Sequence, residues 1–196
     1  MREVLGSHRR ESAVKVLVIS GSRNPEGQTA RAANAFLEGV GSAGGQGELV
    51  FLPQMKIERC RQCEDDGWGI CRSEGRCVIE DDFASVVDRV KDADAVVFAT
   101  PVYFSDLSES LRAFLDRLRR TCIHDAGRER IEGKGAVGIC VAGGGGGGAP
   151  ACTVSLERVL RTCGFEVVDL IPVRRQNLDM KLNVLRAAGG ELASTG

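Results

Sequence analysis

Short apolar runs alternate along this chain with longer stretches in which apolar positions recur every three or four residues. AVKVLVIS at 13–20 is the first run, rich in β-branched residues, and suits a central parallel strand buried on both faces. Similar runs at Leu49–Leu52, Ala95–Thr100, Lys134–Ala142 and Phe165–Val173 predict four more strands. Helical patterns lie between them. Ala30–Val40 places apolar residues at 33, 36, 37 and 40, and Asp81 or Asp82 supplies a carboxylate at the start of a helix reaching Val90. Ser108 can cap a helix whose apolar stripe is Leu107, Leu111, Phe114, Leu115 and Leu118. Pro150 suits the first turn of a helix running to about Thr162, and Gly164 suits its C-cap.

Strands separated by helices make a doubly wound α/β domain over 14–173. Residues 1–13 read as a flexible tail. Residues 174–196, with a helical pattern from Asn177 to Leu192, form either a final helix or an arm that packs on a partner subunit. Ligands of such sheets sit beyond the carboxyl ends of the strands, which points to the loops 21–29, 101–107 and 142–149. The stretch 54–81 stands apart. It has little periodicity and is long for a plain connection, as a functional loop would be.

Composition narrows the function classes. The 196 residues, 43% hydrophobic and 27% charged, are ordinary for one globular domain. Lys plus Arg number 26 against 27 Asp plus Glu, a formal charge of −1 that disfavours a broad nucleic-acid-binding face. The sequence has no apolar run of membrane-spanning length, and its start has no apolar signal core, so a cytoplasmic protein is expected. Only His8 and His124 are present, which leaves little support for Ser-His-Asp hydrolysis. Two counts are unusual: 25 glycines, six of them consecutive at Gly143–Gly148, and 8 cysteines.

The first loop, Gly21-Ser22-Arg23-Asn24-Pro25-Glu26-Gly27-Gln28-Thr29, precedes a helix N-terminus whose free amides and dipole favour a phosphate. Ser22 and Thr29 add hydroxyls and Arg23 a positive charge. The spacing is neither a dinucleotide fingerprint nor an NTPase loop, and a tight turn with a capping hydroxyl would also account for it. In the second loop Pro101 bends the backbone, and Tyr103 and Phe104 are adjacent aromatics where a planar cofactor could rest; alternatively Phe104 seals the top of the core. The hexaglycine can bring peptide N–H groups against a flat ring, or be a loose connection, and both can hold for different glycines.

These three motifs in this order resemble the flavodoxin-like NADPH-dependent FMN reductase family: GSRNPEGQT after the first strand, PVYFSDLSESLRAFLDR after the third, and the glycine loop after the fourth. The resemblance spans 14 to about 172. It implies a flavodoxin-like three-layer sandwich with a five-stranded parallel sheet of order 2-1-3-4-5. It also implies that Ser22, Arg23, Gln28 and Thr29 hold the FMN phosphate. Pro101, Val102, Tyr103 and Phe104 would run beside the ring and ribityl chain. The loop from Ala142 through Gly143, Gly144 and Gly145 to Gly146 would cover the pyrimidine side. Asp116 and Arg117 match the family's DR pair and are read as structural, the arginine pairing with a subunit or a loop. Flavin chemistry needs no side-chain nucleophile, because the cofactor does the chemistry while the protein positions and tunes it.

Four cysteines, Cys60, Cys63, Cys71 and Cys77, fall in the irregular stretch. Four thiolates together can hold zinc or an iron–sulfur cluster. The family's iron–sulfur flavoproteins carry a compact cysteine motif here and bind a [4Fe-4S] cluster through it. Cys60, Cys63 and Cys77-Val78-Ile79-Glu80-Asp81-Asp82 are similar to that pattern, but Glu64–Ile70 lengthens the link before Cys71. Cluster, zinc, free thiols and a reversible disulfide all stay open. Trp68 could cover the flavin or a subunit interface. Cys122, Cys140, Cys152 and Cys163, scattered in apolar surroundings, are expected in the core.

The leading expectation is an FMN-dependent oxidoreductase taking electrons from NADPH or NADH and delivering them to a quinone, flavin or similar small-molecule acceptor. The alternatives are an iron–sulfur flavoprotein relaying electrons with a ferredoxin-like partner, and a non-catalytic flavodoxin-like interaction protein. Family resemblance further implies a homodimer or homotetramer. Neither nucleic acid nor membrane is expected as a partner.

Overall fold

Five parallel strands lie side by side in the order β2-β1-β3-β4-β5 in the computed structural model, which describes residues 13–195. They are β1 (Lys15–Ser20), β2 (Gln46–Phe51), β3 (Ala95–Pro101), β4 (Gly135–Ala142) and β5 (Glu166–Arg174). Among the described residues seven α-helices join or follow them: α1 (Gln28–Ser42), α2 (Ile70–Glu74), α3 (Phe83–Asp92), α4 (Glu109–Cys122), α5 (Asp125–Arg128), α6 (Ala149–Cys163) and α7 (Leu178–Thr195). The three-layer sandwich and strand order expected from the resemblance are the ones observed.

The two faces follow from strand periodicity. Val16 and Val18 of β1 point to α1 and α7, while Leu17 and Ile19 point to the core shared with α3, α4 and α6. Apolar residues in the middle of β3 and β4 are buried on both sides, so those strands read as unbroken runs. β2 is an edge strand, buried mainly at Val50, and starts earlier than its apolar run at 49–52. Its first residues extend because Lys15 pairs with Gln46 and Gly47 with Val16; pairing with β1, not apolarity, sets this boundary.

Helix ends obey local chemistry. Ser108 caps α4 by accepting from the Leu111 amide at 3.4 Å, and Gly164 closes α6 in the left-handed region at φ 96°. At the start of α3, Asp81 accepts from the Phe83 amide at 3.1 Å while Asp82 accepts from Lys56 at 2.7 Å. The link 123–133 contains the short α5, which carries no apolar period. The expected tail, apart from Ala13, lies outside the described residues.

The last segment takes the helical option and lies along α1. Glycines make the crossing close: a Cβ on Gly39 would run into the Arg186 carbonyl, and one on Gly189 into the Phe36 carbonyl. Backbone atoms cannot swing aside as a side chain can. Gly39→Val and Gly189→Val are each expected to destabilise the fold by about 1–3 kcal/mol or more. Denaturant unfolding checks this, and wild-type midpoints in both variants would contradict the tight crossing.

Candidate functional site

The loops after β1, β3 and β4 enclose one open cleft of about 650 Å³. Ser22, Asn24, Gly27, Gln28 and Thr29 form one wall, Pro101, Val102 and Tyr103 a second, and Val141 through Gly147 a third. The structure thus gathers most of the residues singled out above around one volume.

The first wall is pinned from below. The Gly21 amide donates to the Ala99 carbonyl at 2.8 Å, and the Ser110 hydroxyl donates to the Gly21 carbonyl at 3.0 Å. A Cβ on Gly21 would collide with the Ser108 hydroxyl, so glycine is what allows β1 to end against α4. Asn24 then folds the loop, its side chain accepting from the Glu26 amide at 2.9 Å. Helix α1 begins with Gly27 as N-cap, without a side-chain cap and without an acidic residue in its first turn. Its leading amides and positive dipole end therefore face the cleft uncompensated. Beside them the Gln28 Oε1 atom is buried without a hydrogen-bond partner, and Ser22 and Thr29 are nearly buried.

The second wall is strained. Tyr103 and Asp106 exchange backbone hydrogen bonds of 3.0 and 2.9 Å across a two-residue turn, in which Phe104 and Ser105 adopt φ of 49° and 65°. Left-handed backbone at non-glycine residues costs of order 1–3 kcal/mol each. The Asp106 carboxylate helps hold the turn by accepting from Arg112 at 2.6 Å and from the Leu107 amide at 2.8 Å. One consequence departs from expectation. The turn throws Phe104 fully into solvent, so it neither seals the core nor lines the cleft, whereas half-exposed Tyr103 does line it.

The third wall divides its glycines by role. Gly144, Gly146 and Gly148 take φ of 43°, 75° and 80°, while nothing lies within 4 Å of a Cβ placed on Gly143, Gly145 or Gly147. The first set shapes the turn; the second leaves bare peptide facing open space. A Cβ on Gly148 would sit 2.6 Å from the Ser105 hydroxyl, so glycine there lets the second and third loops touch. Arg23 is exposed and falls outside the cleft lining, because the Asn24 turn carries it outward. Asn24, Gly27 and Gly147 lie within the loops expected from the sequence without having been named as cofactor contacts, whereas Val141, on the strand before the glycine loop, falls outside them.

A second cavity is lined in part by the C-terminal half of α4. Cys60, Cys63, Cys71 and Cys77 all line it, together with Gly67, Ile79, Arg117 and Arg120. It encloses about 20 Å³. Among the described residues no three His, Cys, Asp or Glu side chains are grouped as one metal ion requires. One of its wall residues, Arg117, belongs to a buried ion pair. Arg117 and Asp81, both essentially without exposure, meet in two bonds of 2.6 and 3.0 Å, and Asp81 also accepts from the amides of Glu58 at 2.8 Å and Phe83. Burial works against the Asp81 charge, but these four donors together hold its pKa below the ordinary carboxylate value. The DR-pair arginine thus pairs with a loop of its own chain, as the structural reading expected.

Trp68 belongs to this cavity's outer loop and does not line the cleft of its own chain. Arg72 and Arg120 each stand 4.8 Å from its ring centroid, and His124 packs edge-on at 5.1 Å. Arg120 also donates to the Gly67 carbonyl at 2.7 Å, tying the lengthened link 64–70 to α4. The other four cysteines are fully buried in the core. Hydrogen bonding to Cys152, with burial, drives the Cys140 thiol far above its usual pKa, so it is no nucleophile.

Residues 14–173 match the sequence profile of one family, described as NADPH-dependent FMN reductase. The chain belongs to that family. Among its relatives, an iron-sulfur flavoprotein of Methanocaldococcus jannaschii is 33% identical over 131 residues, covering 67% of this chain and 65% of the relative. Another, from Archaeoglobus fulgidus, is 30% identical over 105 residues, covering 54% of this chain and 46% of the relative. The chain therefore spans about half to two thirds of the curated relatives it matches. In architecture it is similar to an NAD(P)H:quinone oxidoreductase from Methanothermobacter marburgensis, with a TM-score of 0.70 at 24% identity over 92% of this chain and 96% of that one. That likeness concerns the fold. Among the described residues no helix is long and apolar enough to cross a membrane.

The family's cofactor can be tested against the cleft's chemistry. An uncapped helix N-terminus beside two hydroxyls suits a phosphate. The unpartnered Gln28 Oε1 calls for a donor such as a ribityl hydroxyl, and bare peptide at Gly143–Gly147 leaves room for a flat ring. The residues present fit FMN.

Proposed function

We propose that this protein is an FMN-dependent oxidoreductase that takes electrons from NADPH or NADH and delivers them to a quinone, a flavin or a similar planar small molecule. The observation that carries this reading is the convergence of three strand-end loops on one cleft with a phosphate-type corner at one end and exposed peptide at the other. Bound FMN would supply hydride acceptance and electron donation. The chain's part is to bind and orient. Ser22, Thr29 and the leading amides of α1 hold the phosphate corner, assisted by the turn at Asn24, and the Gln28 Oε1 accepts from a ribityl hydroxyl beside it. Pro101, Val102 and Tyr103 run along the ribityl chain and ring, and peptide N–H groups of the glycine loop face the pyrimidine edge, where donors favour negative charge. Arg23 and Phe104 stay available to a ligand or second subunit arriving from outside.

A second reading, an iron–sulfur flavoprotein exchanging electrons with a ferredoxin-like partner, is favoured by the four thiols on one cavity. Zinc would need its sulfurs gathered on one ion. A cubane takes one thiolate per iron and would equally need the four thiols drawn round it, since among the described residues no three such side chains are grouped for a metal. Cys60, Cys63, Cys71 and Cys77 would hold the cluster, which would supply one-electron transfer. The cavity's volume of about 20 Å³ is space for about a water, so the exposed loop must spread to admit a cluster while the Arg117–Asp81 wall stays put.

The test is anaerobic purification, with absorption spectra and FMN, iron and sulfide measured on one sample. FMN with NAD(P)H-dependent bleaching and no iron supports the reductase reading alone. FMN with iron and sulfide in cluster proportion supports the relay. A folded chain that refuses added FMN overturns both.

A further inference from the structure

We propose that Ser20 and Ser110 are positioning residues for phosphate recognition: neither lines the cleft, yet together they fix the peptide that carries Ser22 to it. This rests on the FMN reading above and adds to it two side chains that touch no ligand.

The Gly21 carbonyl and the Ser22 amide belong to one planar peptide unit. Its carbonyl accepts from the Ser110 hydroxyl at 3.0 Å, and its N–H donates to the Ser20 hydroxyl at 3.2 Å. A planar unit held at both ends cannot rotate without breaking one of these bonds. One atom group earlier, the Gly21 amide is fixed to the Ala99 carbonyl at 2.8 Å. The backbone entering Ser22 is therefore held at three points, all from outside the cleft lining. Beyond Ser22 the grip loosens. Its hydroxyl makes only 3.3 Å bonds, donating to the Asn24 carbonyl and accepting from the Asn24 amide. A phosphate oxygen is the stronger acceptor, so that one proton is there to be turned toward it.

Ser110 is itself held from the second wall. Its single proton goes to Gly21, so in its 3.4 Å contact with Ser108 the Ser108 hydroxyl donates. Ser108 in turn lies 3.3 Å from the Thr100 hydroxyl, whose proton faces both it and the Pro101 carbonyl at 2.9 Å. The hydroxyls run one way, from the strand end that carries Pro101 to the peptide that carries Ser22. Ser20 and Thr100 are wholly buried at the ends of apolar strands, where an unbonded hydroxyl would cost free energy. Packing alone would be served by alanine and valine; the hydroxyls are used on the loop peptides.

The experiment titrates apoprotein with FMN and with riboflavin, read by fluorescence, in wild type, Ser110→Ala, Ser22→Ala and the double variant. Alanine is the best helix former, so Ser110→Ala keeps the first turn of α4. It should raise the FMN dissociation constant about three- to tenfold and leave that of riboflavin within about twofold of wild type. In the Ser22→Ala background the same change should cost less than about twofold, because the hydroxyl it aligns is gone. Loss shared equally by both flavins, no loss, or full additivity with Ser22→Ala overturns the proposal. Ser20→Ala frees the other end of the same peptide and should give the same pattern. If Ser110→Ala fails to fold, the Ser20→Ala and Ser22→Ala cycle decides by the same criteria. Wild type that binds neither flavin overturns the FMN reading and the positioning role with it, whereas wild type that binds FMN beside variants of unchanged preference overturns the positioning role alone.

Discussion

Ser22→Ala together with Thr29→Val is expected to weaken FMN binding severely while leaving riboflavin binding nearly unchanged. Each hydroxyl lines the corner of the cleft proposed for the phosphate, next to a helix N-terminus with no acidic residue in its first turn and no side-chain cap. A hydrogen bond to a charged group is worth about 1.5–3 kcal/mol. Each lost donor should therefore raise the FMN dissociation constant about 10- to 100-fold, at 1.4 kcal/mol per factor of ten. The two need not add, since both hydroxyls face one phosphate. Riboflavin lacks that phosphate and serves as the internal control. Fluorescence titration of the apoprotein with both flavins measures the ratio directly. Equal loss for the two flavins would mean that the corner shapes the loop and does not read the phosphate.

Asp81→Asn should be the most damaging single substitution to stability. The carboxylate is wholly buried and accepts four hydrogen bonds, two from Arg117 and one each from the Glu58 and Phe83 amides. Asparagine turns one acceptor into a donor facing donors and leaves Arg117 as an uncompensated buried charge. Breaking such a pair costs about 3–5 kcal/mol. The pH dependence has a definite sign. Because the folded pKa of Asp81 is lowered, its contribution is fully present above the unfolded value of about 3.9 and is lost as pH falls through the folded pKa. The stability gap between wild type and Asp81→Asn should thus be wide at neutral pH and narrow below about pH 4. Denaturant unfolding across that range measures it. A gap that stayed constant would show that the carboxylate's charge is not what holds the wall.

The same residue bears on function. Asp81 anchors the segment leaving the cysteine loop and fixes Arg117, so both a helix start and the cavity wall depend on one ion pair. Substitutions there will disturb the thiol cavity without touching the flavin-type cleft, since the two share no lining residue.

The type of the strands and their order along the chain were legible in the hydrophobic pattern, whereas their pairing order was expected only from the family resemblance. Central strands buried on both faces must be continuously apolar, and the runs at 13–20, 95–100 and 134–142 state this locally. Caps at Ser108 and Gly164 are local too, because a hydroxyl or a missing Cβ acts within one turn. The three loops that line the cleft were legible for the same reason: helix N-termini and close backbone approach demand particular residues at particular strand ends. Other features lay beyond such reading. The direction of Phe104 depends on a left-handed turn held by Asp106 and Arg112, and the extent of β2 depends on pairing with β1. The partnership of Arg117 with Asp81 spans |i−j| of 36 residues, and only folding shows that four of its five donors are used. Hydrophobic periodicity and capping act over a few residues, whereas a buried charge acquires its role from whatever the fold carries to it from a distance.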